Sequence, residues 1–145
     1  MKPTNPNDLR NTIEVRLRTV RTLWFSLFIS VGLYFLITIF VKRAESQDPN
    51  NLLFIVLVGV ALAVTLISFV LKEQFVRRAI EQQQPDVLQQ GFIVAWALNE
   101  APALFGLVIY FASGNHYYFV LFIISTCGHL LNFPRRAQVE SVYFK

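Results

Sequence analysis

One carboxyl group stands inside an otherwise uncharged apolar stretch of this sequence. Glu100 is the only Asp, Glu, Lys or Arg between Phe92 and Ala112. A charge in a bilayer costs on the order of 3 kcal/mol or more unless the group is protonated or paired, so such a residue indicates a functional site or a specific partner. Pro102 removes a backbone donor two residues later, which predicts a bend and a carbonyl acceptor beside the carboxyl group.

The next apolar stretch carries polar residues on one helical face. Ser125, Gly128, His129 and Asn132 are spaced i, i+3, i+4, i+7. If the turn between the two stretches centres between Gly114 and Asn115, an antiparallel hairpin brings Glu100 to the depth of His129. The sequence therefore predicts a polar cluster in the inner leaflet made of Asn99, Glu100, Ser125, His129 and Asn132.

Two interpretations of this cluster stay open. A carboxyl group beside an imidazole can hold or relay a proton or a cation. The same residues can instead form a hydrogen-bonded clamp that fixes the register of two helices, with contacts on the order of 1 kcal/mol each.

The elements that position these residues follow from composition and charge spacing. Of 145 residues, 54% are hydrophobic and 15% charged, and the mean hydropathy is +0.48. About 20 residues of helix cross a hydrocarbon core of about 30 Å, which predicts an all-α integral membrane bundle of four transmembrane helices with an N-terminal amphipathic helix. The predicted segments of this single membrane domain are a cytoplasmic amphipathic segment 1–21, a first span 22–41, an external loop 42–51, a second span 52–71, a cytoplasmic loop 72–91, a third span 92–112, an external turn 113–116, a fourth span 117–133 and a cytoplasmic tail 134–145.

Basic residues predict the orientation. Eleven Lys and Arg residues fall on the face that holds both termini, against Lys42 and Arg43 on the other. This asymmetry predicts a multi-pass protein, of a bacterial inner membrane by expectation, with both termini cytoplasmic. It also accounts for the net charge of +4 without a nucleic-acid partner.

The N-terminal segment has the periodicity of an amphipathic helix. Its apolar residues recur every three or four positions, at Leu9, Ile13, Leu17, Val20 and Trp24. The segment either lies on the inner membrane face or extends the first span, or it is a docking helix for a partner subunit. Small residues at Ser26, Ser30, Gly59 and Ala63 are expected to serve helix packing, so the first two spans are interpreted as scaffold.

Other chemistry has less support in the sequence. A membrane histidine can ligate haem or chlorophyll, and His129 is the candidate, through a haem shared between two copies or a pigment held by one. No cofactor is predicted beyond this. Cys127 has no partner for an internal disulfide and fits no metal motif, so no metal site is predicted. Motifs of phosphate-binding loops, metalloproteases and serine hydrolases do not occur, so we expect no catalytic residues and no enzyme.

The segment from Ala97 to Val108 resembles the carboxylate helix of the proteolipid (c) subunits of rotary ATPases. Those helices have A-L-x-E-A, an aromatic residue and G-L-V at the same spacing as Ala97 to Ala101, Phe105 and Gly106 to Val108 here. Pro85-Asp86 is similar to their polar loop. The resemblance covers about a dozen residues, and it implies that Glu100 is an ion-carrying carboxylate.

These observations favour a small polytopic membrane protein acting as an accessory or structural subunit of a larger membrane complex. The expected partners are the lipid bilayer and other membrane subunits or further copies of the chain. The first alternative is a proton- or cation-handling protein that uses Glu100 with His129. The second is a subunit that binds haem or a pigment through His129.

Overall fold

The computed structural model describes residues 6–42 and 51–144, and in these ranges the chain is all-helical. The helices are α1 (Pro6–Phe40), α2 (Asn51–Gln82), α3 (Pro85–Ala112), α4 (Phe119–Leu131) and α5 (Arg136–Tyr143), with a 3-10 turn at His116–Tyr118 before α4. The first three are long and apolar enough to cross a membrane. The segment from the 3-10 turn through α4 forms a fourth candidate span only together with α5, across a 43° bend. The structure is therefore all-helical in its described ranges and has three or four candidate membrane spans, which is consistent with the predicted helical membrane protein.

Contacts along the helices establish their directions. Three contacts between α1 and α3 have a nearly constant sequence separation of 70, 70 and 69, at Arg16–Asp86, Ser30–Glu100 and Val41–Tyr110. A constant separation means that α1 and α3 run parallel. The chain reverses between α2 and α3 at Gln83, whose φ is 51°, and Pro85 opens α3 at a position where a missing amide is tolerated.

The segments predicted as non-spanning are largely helical. The expected cytoplasmic loop 72–91 is the end of α2 and the start of α3, and only residues 83–84 lie outside helix. The amphipathic segment and first span likewise form one helix, because no glycine or proline interrupts the chain between Pro6 and Val31. Only Lys42 and Asn51 of the predicted external loop 42–51 are described, and the basic residues Lys2, Arg43 and Lys145 lie outside the described residues.

The apolar face of the amphipathic segment is covered by the chain itself. Ile13, Leu17, Val20 and Trp24 are buried, while Arg10, Glu14, Arg18 and Arg21 are exposed. The covering residues come from α2, α3 and α5 and include Ala79, Leu88, Phe92, Trp96, Val139 and Val142. The segment therefore extends the first span and packs inward, which leaves its predicted apolar stripe without a free surface for docking.

Large apolar side chains face outward along the middle of α1 and α2. Ile29 on α1 and Leu66 on α2 are 57% and 66% exposed, and many neighbours are similarly placed. Ser26, Gly59 and Ala63, expected to serve packing, also point outward, whereas Ala61 is fully buried between helices. Such an apolar exterior suits a lipid solvent, which is consistent with a membrane protein.

The fourth predicted span, 117–133, is shorter in the structure than expected. Helix α4 ends at Leu131, and Pro134 disfavours helix at the residue before it, so the chain turns into α5. At the other end of α4, the predicted turn 113–116 contains Gly114 with φ 60°. Asn115 accepts from the amide of Tyr117 and donates to Asn51 Oδ1 at 3.0 Å, which ties this turn to the start of α2.

Candidate functional site

Asn99 joins three helices at the centre of the bundle. Its side chain is fully buried and donates from Nδ2 to the Gly128 carbonyl on α4 at 3.2 Å. Its Oδ1 accepts from Ser68 Oγ on α2 at 3.0 Å. Its own carbonyl accepts from Ser125 Oγ at 2.6 Å. We call Asn99, Ser68, Ser125 and Gly128 the asparagine clamp. It holds α2, α3 and α4 in one register.

Gly128 is needed for the close approach of the helices in this clamp. A Cβ at this position would lie 2.6 Å from Asn99 Oδ1 and 3.3 Å from Thr65 Cγ2. Both contacts are shorter than van der Waals separation, so any side chain here would displace the Asn99 amide. The glycine therefore lets α4 approach closely enough for the Asn99 hydrogen bond.

Two tryptophans satisfy carbonyls at the end of α4. Trp24 Nε1 on α1 donates to the His129 carbonyl at 3.0 Å, and Trp96 Nε1 on α3 donates to the Asn132 carbonyl at 3.1 Å. The last carbonyls of a helix lack partners in their own helix, and burial without partners would be costly. Asn132 also donates from Nδ2 to Ser68 Oγ at 3.3 Å, which extends the clamp toward this end.

His129 is enclosed by the same packing. Its Nδ1 lies 3.1 Å from the Ser125 carbonyl. A carbonyl can only accept, so we assign the proton to Nδ1, which leaves Nε2 with a lone pair. That Nε2 is buried and has no hydrogen-bond partner among the described residues. Haem ligation needs an imidazole nitrogen that faces open space, and here the available lone pair is closed in.

Glu100 faces α1, about 100° around the axis of α3 from Asn99. Its Oε1 lies 2.6 Å from Ser30 Oγ, and Tyr34, one turn further along α1, is close enough to interact with the same carboxyl group. We call Glu100, Ser30 and Tyr34 the carboxyl cluster. Glu100 is half-buried, and at about 1.5 Å rise per residue it lies about 22 Å from the start of α3 and about 18 Å from its end. The carboxyl group is therefore at mid-depth of a candidate span.

Ser30 cannot donate to both of its neighbours at once. Its Oγ lies 2.7 Å from the Leu27 carbonyl as well as 2.6 Å from Glu100 Oε1. A serine hydroxyl has one hydrogen, and a carbonyl can only accept. If Ser30 donates to Leu27, the short contact with Glu100 needs a proton on the carboxyl group. If Glu100 is ionised, Ser30 must turn toward it and leave Leu27.

The structure brings together most of the predicted cluster and separates one member. Asn99, Ser125 and Asn132 belong to the hydrogen-bond network of the clamp, and His129 lies at its edge. Glu100 instead contacts Ser30 on α1. Its charge acts on His129, but the described residues show no hydrogen bond between the two. The turn centre assumed from the sequence pairs Glu100 with His129, whereas the residue of α3 that contacts this part of α4 is Asn99, through the Gly128 carbonyl. One residue on a helix is a rotation of about 100°, which exchanges the faces of Asn99 and Glu100.

Several partners were missed in the sequence. Thr65 and Ser68 on α2 are buried against the clamp, and Ser30 and Tyr34 meet Glu100. The available signal was spacing, since Ser30 and Tyr34 are four residues apart and Thr65, Ser68 and Lys72 follow at i, i+3, i+7. Pro102 is buried inside α3, which continues through it to Ala112, and the Leu98 carbonyl there lacks an amide donor one turn on.

Comparisons with protein-family models, curated proteins and solved structures gave no match to this chain. Within the described ranges, no three His, Cys, Asp or Glu side chains are grouped so that they could hold a metal ion. Function must therefore be inferred from the two polar clusters and the surfaces around them.

Proposed function

We propose that this chain is a polytopic membrane protein that binds and releases a proton at Glu100. The observation that supports this function is the pair of short contacts of Ser30 Oγ, with Leu27 O at 2.7 Å and Glu100 Oε1 at 2.6 Å. These contacts give the carboxyl group a hydrogen-bonding arrangement in either protonation state.

In the protonated state, Glu100 donates to Ser30 Oγ, and Ser30 donates to the Leu27 carbonyl. In the ionised state, Ser30 turns and donates to the carboxylate, and the neighbouring Tyr34 hydroxyl is available as a second donor. Hydrogen bonds to an ionised group are stronger than those to a neutral one, and this offsets part of the cost of a charge at this depth. The exchange requires only rotation of a hydroxyl group.

His129 is a second group that could accept the proton. Its unpartnered Nε2 carries a lone pair, and its electrostatic proximity to Glu100 favours a relay between the two residues. This function agrees with what the resemblance to proteolipid subunits implies for Glu100.

Infrared difference spectroscopy of the reconstituted protein tests the proposal. We expect wild-type protein to show a protonated-carboxyl band that disappears on raising the pH, and Glu100→Gln to lack that band. Glu81→Gln is the matched control, because Glu81 is an exposed glutamate on α2 whose loss should leave the band intact. An unchanged band in Glu100→Gln would refute proton binding at this residue.

A second candidate function, accessory or structural subunit of a membrane complex, is favoured by an open groove between α1 and α4. Its volume is about 490 Å³. Its lining is almost wholly apolar and includes Phe28, Val31, Gly32, Phe122, Ile123 and Cys127. A Cβ at Gly32 would meet nothing within 4 Å, so a neighbouring helix could approach closely here.

The size of the complex extracted from native membranes in mild detergent tests this candidate. We expect Gly32→Phe to fill the groove and reduce that size, whereas Gly59→Phe, at an equally open glycine of α2, should not. A monomer with the wild-type chain would contradict the subunit function. In either function we propose that both termini are cytoplasmic, as the basic residues predict, which a reporter fused to the C-terminus can test.

A further inference from the structure

A buried lysine without a carboxylate partner lies where α2 meets the end of α4. Lys72 is 8% exposed, and the described residues give it no ion pair. Its ammonium group lies 5.2 Å from the centroid of the Phe92 ring. The ring stabilises one side of the cation, but a buried charge still needs an anion or equivalent hydrogen bonds on its other side.

A second cation accompanies this lysine. Arg135, in the connection between α4 and α5, is exposed, is an electrostatic neighbour of Lys72 and makes no ion pair within the described ranges. The nearby carboxylate of Glu73 is engaged with Arg77 at 2.7 Å. Two like charges held close together are unfavourable unless an anion lies between them.

A cavity of about 210 Å³ lies beside these two cations. At about 30 Å³ per water molecule, it has room for roughly seven waters, which is ample for a phosphate group. Gln138 also lines it, and since its Oε1 accepts from the Arg135 amide at 3.2 Å, its NH₂ group remains a donor. The apolar part of its lining is formed by Phe69, Val76 and Leu131, and the remaining lining residues are Asn132 and Glu73, whose carboxylate is paired with Arg77.

We infer that Lys72 and Arg135 bind the phosphate group of an anionic phospholipid, with its glycerol and acyl region along Phe69 and Leu131. The lysine supplies a point charge and the arginine a planar pair of donors, which together suit a phosphate oxygen cluster. The apolar wall favours a lipid over free phosphate. Lys72 directly follows the predicted span 52–71, which is the depth at which headgroups lie.

Native mass spectrometry in detergent tests this site, with phosphatidylglycerol, diacylglycerol and inorganic phosphate as separate probes. Arg135→Gln removes one cation at an exposed position, so the fold should be kept. Lys72→Met removes the other charge and keeps an apolar side chain against Phe92. Arg78→Gln is the matched control, because it removes one exposed positive charge from the same end of α2.

We expect the wild-type chain to retain phosphatidylglycerol and not diacylglycerol. Since a basic residue contributes about 1 kcal/mol to binding an anionic lipid, retention should weaken about five-fold in Arg135→Gln and at least as much in Lys72→Met, with no such change in Arg78→Gln. Equal weakening by Arg78→Gln would overturn the site in favour of general surface charge. No retention by the wild type would overturn it outright, and inorganic phosphate binding as well as the lipid would overturn the lipid as the ligand.

Discussion

Asn99 and Glu100 are neighbours in the chain, but they lie in two clusters of different chemistry. The asparagine clamp is fully buried and joins α2, α3 and α4, whereas the carboxyl cluster is half-buried and joins α3 to α1. Both contain a serine whose single hydroxyl proton has two acceptors: Ser68 lies between Thr65 O and Asn99 Oδ1, and Ser30 between Leu27 O and Glu100 Oε1.

The difference lies in what the second acceptor can do. The Asn99 amide oxygen cannot take up a proton at ordinary pH, so the clamp has one protonation state and can only hold geometry. A carboxyl group, unlike an amide, has a protonated form that could donate to Ser30, and the proposed function assigns two states to the carboxyl cluster on this ground. A rotation of about 100° about one helix axis thus separates a position that joins three helices from the position at which we propose proton binding.

The largest effect is expected from Asn99→Leu, which is close in shape but removes both side-chain contacts of the clamp residue. Interhelical hydrogen bonds in membrane proteins contribute about 0.6 kcal/mol on average and up to about 1.7 kcal/mol, and this variant removes two of them from a fully buried position. We therefore expect a loss of about 3 kcal/mol in the free energy of unfolding, measured by detergent-induced unfolding of reconstituted protein. A loss below about 0.5 kcal/mol would show that the clamp does not hold the helices together.

Gly128→Ala should have the next largest effect, because it introduces a methyl group 2.6 Å from Asn99 Oδ1. Overpacking of this kind costs about 1–3 kcal/mol. The matched control is Gly59→Ala, where nothing lies within 4 Å and helix propensity favours alanine by up to about 1 kcal/mol. The two variants should therefore shift the thermal midpoint in opposite directions, and a common direction would contradict the close approach at Gly128.

The sequence predicted where along the helices these polar residues lie better than it predicted the direction in which they face. Uncharged stretches between charges located the candidate spans, and the predicted loop 72–91 contains the reversal between α2 and α3. The i, i+3, i+4, i+7 spacing placed Ser125, His129 and Asn132 on one face of the α4 segment. The rotation of α3 about its own axis could not be predicted, because it depends on how the turn at Gly114 and the 3-10 turn after it pack. An offset of one residue there exchanges Asn99 for Glu100.

The contacts of Ser30 on α1 and Ser68 on α2 could not be predicted from the sequence for a different reason. Ser30 and Ser68 are small residues in apolar helices, where serine is common in packing, so neither stood out from Ser26, which is exposed. Their roles depend on which residue of another helix lies opposite. The structure shows that Ser30 faces Glu100, and the contact at Arg16–Asp86 has the same sequence separation of 70 residues.

A smaller effect should appear as coupling within the carboxyl cluster. Ser30→Ala, Glu100→Met and the double variant form a cycle in which each single variant removes the contact, and we expect an interaction free energy of about 0.6 kcal/mol, the average for interhelical hydrogen bonds in a membrane. Unfolding free energies of the four proteins measure it. Ser26→Ala serves as the control in place of Ser30→Ala, because Ser26 bonds only within α1 and is exposed. An interaction free energy of zero between Ser30 and Glu100 would show that their contact does not contribute to the free energy of unfolding.

The smallest change in stability should come from Glu100→Gln alone. A glutamine amide can donate to Ser30 and accept from Tyr34, as the protonated carboxyl does, so the free energy of unfolding at acidic pH should change by less than about 0.5 kcal/mol. Asn99→Leu, measured under the same conditions, is the reference for a large loss in the free energy of unfolding. If Glu100→Gln lost as much stability as that variant, Glu100 would be a structural member like its neighbour. A small loss together with a missing carboxyl band would instead separate a residue that holds the helices from one that holds a proton.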